Sequence, residues 1–162
     1  DINELTLFRI FGNKESLLDA VIDYEFDMDG LKNSVAIDVT GDLEKDLFQL
    51  LSTMRSLLRS RSRVFGLMMR EISENEIIRN KLSSFPVLMK AFILEKLKNI
   101  IGSRLRDDID LETAGVFLAS YYLRSEIMTI MMGKDPFHEL NDQRMKESIL
   151  IFLNGCLRRD EI

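Results

Sequence analysis

The chain of 162 residues has no tryptophan, one cysteine and one histidine. Cys156 by itself makes neither an internal disulfide nor a cysteine-based zinc site, and a lone His138 excludes a histidine-rich metal centre. Two prolines and eight glycines leave room for long helices with few breaks. No apolar run reaches the roughly 18 residues of a membrane span, and no signal-peptide pattern opens the chain. Basic residues are outnumbered, 22 Lys and Arg to 27 Asp and Glu, for a net charge of -5, which argues against a general polyanion binder. Enzyme chemistry has little to start from. His138 sits in a polar loop, Cys156 is a small apolar residue on a helix, Asp107-Asp108 belong to a solvated turn, and no glycine-rich phosphate loop occurs. These absences predict a cytoplasmic protein that is not an enzyme and uses no cofactor, metal or membrane.

What is present is helical periodicity almost from end to end. Asn3 is placed to cap a short helix through Ile10, closed by Phe11-Gly12-Asn13. Asn13 caps a second helix, Glu15–Met28, with Leu17, Leu18, Val21, Ile22 and Met28 on one face. The pattern fails from Gly30 to Gly41. Asp42 starts a third helix with a wide apolar stripe from Leu43 to Leu58, which Ser60-Arg61-Ser62-Arg63 breaks. A short amphipathic helix follows, carrying Val64, Phe65, Met68, Met69 and Ile72. From Ile77 to Leu105 the spacing is again helical, and Pro86 must kink that helix or mark its start. Asp110 caps a helix from Leu111 to Met132 that is apolar nearly all round, as expected of an element buried on more than one side. A loop from Gly133 to Asn141 leads to a last helix through Leu157. The fold class is all-α.

Charge is unevenly spread: residues 1–29 carry two basic and eight acidic side chains, and residues 55–106 twelve basic and four acidic. A solvated basic helix face explains the second block.

The run Ile2-Asn3-Glu4-Leu5-Thr6-Leu7-Phe8-Arg9-Ile10-Phe11-Gly12-Asn13-Lys14-Glu15-Ser16-Leu17-Leu18 resembles the TetR family of transcriptional regulators. Ile2, Asn3, Thr6, Leu7, Phe8 and Phe11 match the family's recognition helix, and Lys14, Glu15, Leu17 and Leu18 the opening of the next one. Phe8 stands where that family usually has tyrosine, and Leu5 where it often has a small residue. Ile100 to Asp110 also looks like the turn between two long helices of a TetR regulatory domain. The resemblance implies two parts: the end of a helix-turn-helix DNA-binding domain at residues 1–29, and a helical-bundle ligand-binding and dimerisation domain at 42–162.

Short-range physics is compatible with those roles. Leu7 and Phe11 would anchor a groove-facing helix on its protein side. Thr6 and Lys14 can hydrogen-bond phosphates, and Asn3 presents free backbone N–H groups at the helix start. Glu4, Leu5 and Arg9 are candidates for base contact, and Phe8, on the same short helix, completes the expected DNA-binding set. Operator DNA is expected as a partner only with two further helices upstream of Asp1.

For the bundle the resemblance implies a small-molecule effector and a homodimer built from the last two helices. Candidate pocket residues are Phe48, Leu51, Met54, Phe65, Met68, Met69, Phe92, Phe117, Tyr121 and Met128, a Met- and Phe-rich set suited to an apolar ligand. Arg55 and Arg124 lie on apolar stretches, where they can bind a carboxylate or pair with Glu126. The expected effector is apolar or weakly anionic. Leu118, Tyr122, Ile149, Phe152, Leu153 and Cys156 are the expected dimer contacts. The alternative reading is a helical sensing or protein-interaction dimer without DNA binding.

Overall fold

Asn and Asp side chains set most of the helix starts in the computed structural model, which describes residues 3–25, 37–137 and 139–158. Asn3 accepts from the Leu5 amide at 3.1 Å and opens α1, Glu4–Phe11. Asn13 accepts from Ser16 at 2.8 Å ahead of α2, Lys14–Glu25. Asp42 caps α3, Leu43–Ser60, and Asn75 caps α5, Glu76–Ile101. Asp110 caps α6, Leu111–Met132, and Asn141 caps α7, Asp142–Cys156. Each such cap stabilises its helix by about 1 kcal/mol. Only Arg61 separates α3 from α4, Ser62–Glu71, and this start has no side-chain cap. Gly12 (φ 80°) and Gly133 (φ 75°) end α1 and α6 in conformations that a side chain would resist.

The described residues form an all-helical bundle. Pro86 does not start a helix: α5 begins ten residues earlier and runs through the proline, whose ring sits on the exposed side. That helix also ends sooner than its periodicity suggests, passing into a 3-10 turn at Gly102–Arg104. Leu105 then makes an isolated antiparallel bridge to Leu157, tying the start of the α5–α6 connection to the end of α7. Met28, most of the Gly30–Gly41 segment and His138 lie outside the described residues.

Two apolar clusters hold the bundle together. The larger joins α3, α5, α6 and α7 around Leu47, Leu50, Leu51, Met54, Ile93, Leu97, Leu118, Tyr122, Met145, Ile149 and Phe152. Burying a leucine or phenylalanine of this kind contributes roughly 1.5–3 kcal/mol. Gly115 lets α6 approach α5 closely, since a Cβ there would stand 2.6 Å from Leu94 Cδ2. The smaller cluster is Ile22, Phe65, Met68, Ile78 and Leu82, and it fastens α2 onto α4 and α5. Phe85 packs against both clusters.

Candidate nucleic-acid interface and sensor region

α1 buries no residue, and the helix it packs on is α2. Asn3, Glu4, Leu5, Phe8, Arg9 and Lys14 are exposed, and Thr6 is half-buried. Leu5 is 75% exposed and Ile10 64%, so α1 presents apolar side chains that nothing among the described residues covers. Leu7 and Leu17 form the floor of a cleft of about 320 Å³ between α1 and α2, with Glu4, Phe8, Asn13 and Lys14 around it. Leu7 thus faces α2, as the amphipathic pattern requires, while Leu5 and Arg9 point to the outside.

The candidate pocket residues fall into separate environments. Leu51, Met54 and Phe92 are buried in the larger cluster, with Phe48 and Tyr121 half-buried against it. Phe65 and Met68 belong to the smaller cluster, and Met69 packs on its edge. Met128 is half-buried, and Phe117 is 62% exposed on the outer face of α6.

Both arginines singled out by their apolar surroundings are already paired. Arg55 Nε lies 3.2 Å from Glu126 Oε1. Its Nη atoms donate to Asp142 at 3.0 Å and to the Leu140 carbonyl at 2.9 Å. Arg124 pairs with buried Asp135 at 3.0 Å instead of with Glu126, a partner three-dimensional proximity selects across the α6–α7 loop. Glu126 is completed by Arg59, whose Nε donates to Oε2 at 2.8 Å.

Five of the six expected dimer contacts are buried within the protomer. Leu118, Tyr122, Ile149, Phe152 and Leu153 are buried in the larger cluster, and Cys156 packs half-buried at its edge. Tyr122 shares a 2.6 Å hydrogen bond with Ser148. Burial pushes its phenol up to about 12, against the opposing pull of that bond. The large apolar residues left exposed on the same helices are Val116, Phe117, Met131, Met132, Leu150 and Ile151. Periodicity marks an apolar face but does not say whether the chain itself or a second copy covers it.

Sequence reasoning missed the join between α2 and the bundle. Lys81 of α5 is bonded to both Asp19 and Asp23, one helical turn apart on α2, with Asp23 at 2.5 Å. Burial alone would lower the Lys81 pKa, but hydrogen bonds and charge from the two carboxylates outweigh it and hold the ammonium above its ordinary value. Arg61 reaches the Glu25 carbonyl from the other side. The available signal was the i, i+4 pair of aspartates beside Ile22. Asp46 was missed as well. It is fully buried in the first turn of α3 and accepts from Thr40 N, Thr40 Oγ1 and Gly41 N at 2.7–3.1 Å.

Among the described residues no group of three or more His, Cys, Asp or Glu is arranged to hold a metal ion, and no helix is long and apolar enough to cross a membrane. No family model matches the chain, and no solved structure matches it. The chain is similar to a protein of Bacillus subtilis strain 168 described as the uncharacterized HTH-type transcriptional regulator YvkB. The two are 24% identical over 157 residues, covering 96% of this chain and 80% of that protein. An all-helical bundle is consistent with the architecture of such a regulator.

Proposed function

We propose that the protein is a ligand-responsive, DNA-binding transcriptional regulator of the TetR type, acting as a repressor that a small effector releases from its operator. The observation that carries this reading is the likeness to an HTH-type regulator over nearly the whole chain, hairpin and bundle together. The exposed, apolar α1 supports it, because a helix with no buried residue needs a partner for its outer face. In this reading α1 is the recognition helix, with Glu4, Leu5 and Arg9 toward base edges and Asn3, Thr6 and Lys14 toward phosphates. Helix α2 links it to the sensor formed by α3 to α7. An effector that prefers one packing of the bundle shifts α2 and weakens operator binding, and operator weakens effector binding by the same factor. Because Arg55 and Arg124 are both neutralised by carboxylates, the pocket residues favour the apolar member of the expected ligand pair. The outer faces of α6 and α7 would join two copies through Val116, Phe117, Leu150 and Ile151.

Selection of duplexes from a random pool with the full-length gene product tests the reading. The expected result is enrichment of a two-fold symmetric site, whose binding Arg9→Ala and Lys14→Ala weaken. The excess of carboxylates on α2 favours the second reading, a sensing dimer without DNA contact, and absence of any enriched sequence would establish that one instead.

A further inference from the structure

An open groove of about 300 Å³ runs between α4 and the last turn of α6. Met69, Ile130 and Met131 supply its apolar surface, and Arg63 and Arg70 flank it. The other lining residues, Ser62 and Gly66, are uncharged. Both arginines are exposed, and among the described residues neither has a hydrogen bond or an ion pair. That sets them apart, because Arg55, Arg59, Lys81, Lys90 and Arg106 of the same basic stretch each hold a carboxylate. The groove therefore carries two uncompensated positive charges around an apolar surface on which Met131 is 53% exposed.

Gly66 lies between the two arginines. A glycine inside a helix is destabilising relative to alanine, and packing does not require this one: a Cβ there would meet only Ile130 Cγ2, at an ordinary 3.8 Å. Its effect is a notch in the α4 surface between two guanidiniums. Residues 63, 66 and 70 have the i, i+3, i+7 spacing of one helix face, so the arginines stand about 10.5 Å apart along the axis. A partner helix with carboxylates at i and i+7 spans the same length and turns its i+3 and i+4 side chains toward the notch. An extended segment covers that length in about three residues and points the two ends to opposite faces. A nucleic-acid backbone would meet the charges but leave the methionines uncovered, whereas Met and Arg together are enriched where proteins meet.

We propose that the groove between α4 and α6 docks an acidic amphipathic helix of a second protein, with carboxylates against Arg63 and Arg70 and an apolar side chain over Gly66 between them. The two ion pairs, at exposed arginines, fix register and orientation more than affinity. Covering Met69, Ile130 and Met131 supplies the hydrophobic part, and the flexible methionines adapt to the side chain they receive. None of these residues belongs to α1 or α2, so this docking does not depend on contact between α1 and DNA.

Fluorescence anisotropy at low ionic strength tests the docking, with the full-length gene product and a labelled alanine-based helical peptide bearing Glu-x-x-Leu-Leu-x-x-Glu. One control peptide replaces both glutamates by glutamine, and another replaces both leucines by alanine. The parent peptide is expected to bind about tenfold more tightly than either control. Arg63→Glu combined with Arg70→Glu should abolish its binding and create binding of a peptide with lysine in place of both glutamates, a gain that an unfolded protein would not show. Gly66→Leu fills the notch and should weaken the parent peptide about tenfold. Equal affinity for the parent and its glutamine control, indifference to either variant, or no binding of the parent overturns the assignment. So does a changed sedimenting mass of the double variant, which would place a second copy in the groove. A random-sequence duplex that the double variant releases as readily as the peptide would assign the groove to phosphates and overturn it too.

Discussion

Glu126 offers a quantitative test of how the bundle is held together. Its side chain is 2% exposed in the middle of α6. It takes Arg55 Nε at 3.2 Å and Arg59 Nε at 2.8 Å, both from α3. Arg55 in turn reaches Asp142 at the start of α7 and the Leu140 carbonyl before it. One carboxylate thus links three helices. Removing one partner of a buried ion pair is destabilising by about 3–5 kcal/mol when the orphaned charge stays buried. Here the orphans have alternatives: Arg59 is 49% exposed and turns to water, and Arg55 keeps Asp142 and the Leu140 carbonyl. Glu126→Ala should therefore lose about 2–3 kcal/mol, below the range for a fully trapped charge. At about 2–4 °C per kcal/mol for a chain of this size, Tm should fall by about 4–12 °C. Glu126→Gln keeps the shape and one acceptor, so it should lose less than the alanine variant. Urea unfolding at neutral pH gives the free energies, and the same series with Arg59→Ala gives the pairwise coupling. A loss below about 0.5 kcal/mol for Glu126→Ala, the range of neutral surface changes, would refute the assignment of this carboxylate as a structural hub.

Two further predictions concern acid stability and assembly. Burial raises the Asp46 pKa, but the hydrogen bonds from Thr40 and Gly41 prevail and hold it below the ordinary 3.8. A depressed folded-state value means that this contribution is present above the unfolded-state pKa and lost as pH falls through the folded one. Asp46→Asn should therefore be less stable than the wild type at neutral pH, and the difference should shrink on acidification below the ordinary carboxylate range; a gap in urea midpoints independent of pH would contradict this. Phe117→Arg combined with Ile151→Arg places charge on outward side chains, 62% and 69% exposed. It should convert a dimer to a folded monomer in sedimentation at micromolar concentration, whereas unchanged mass, dimeric or monomeric in both proteins, would place the interface elsewhere or nowhere.

The amino-acid sequence by itself determined the helices and most of their starts. Asn3, Asn13, Asp42, Asp110 and Asn141 cap through bonds spanning two or three residues, and Gly12 and Gly133 close helices through their own φ angles. Such interactions are local, so they are legible without a fold. Pro86 was ambiguous because its effect depends on whether packing around α5 compensates the missing hydrogen bond. Tertiary structure alone decided which apolar face meets which. Leu118, Tyr122, Ile149, Phe152 and Leu153 turned inward to the chain's own core and left Phe117 and Ile151 outside, a choice that helical spacing does not encode. It also chose the ionic partners: Arg124 with Asp135, Glu126 with Arg55 and Arg59, and Lys81 with two aspartates more than fifty residues away. Charges pair by distance in space. That distance exists only once the helices have packed.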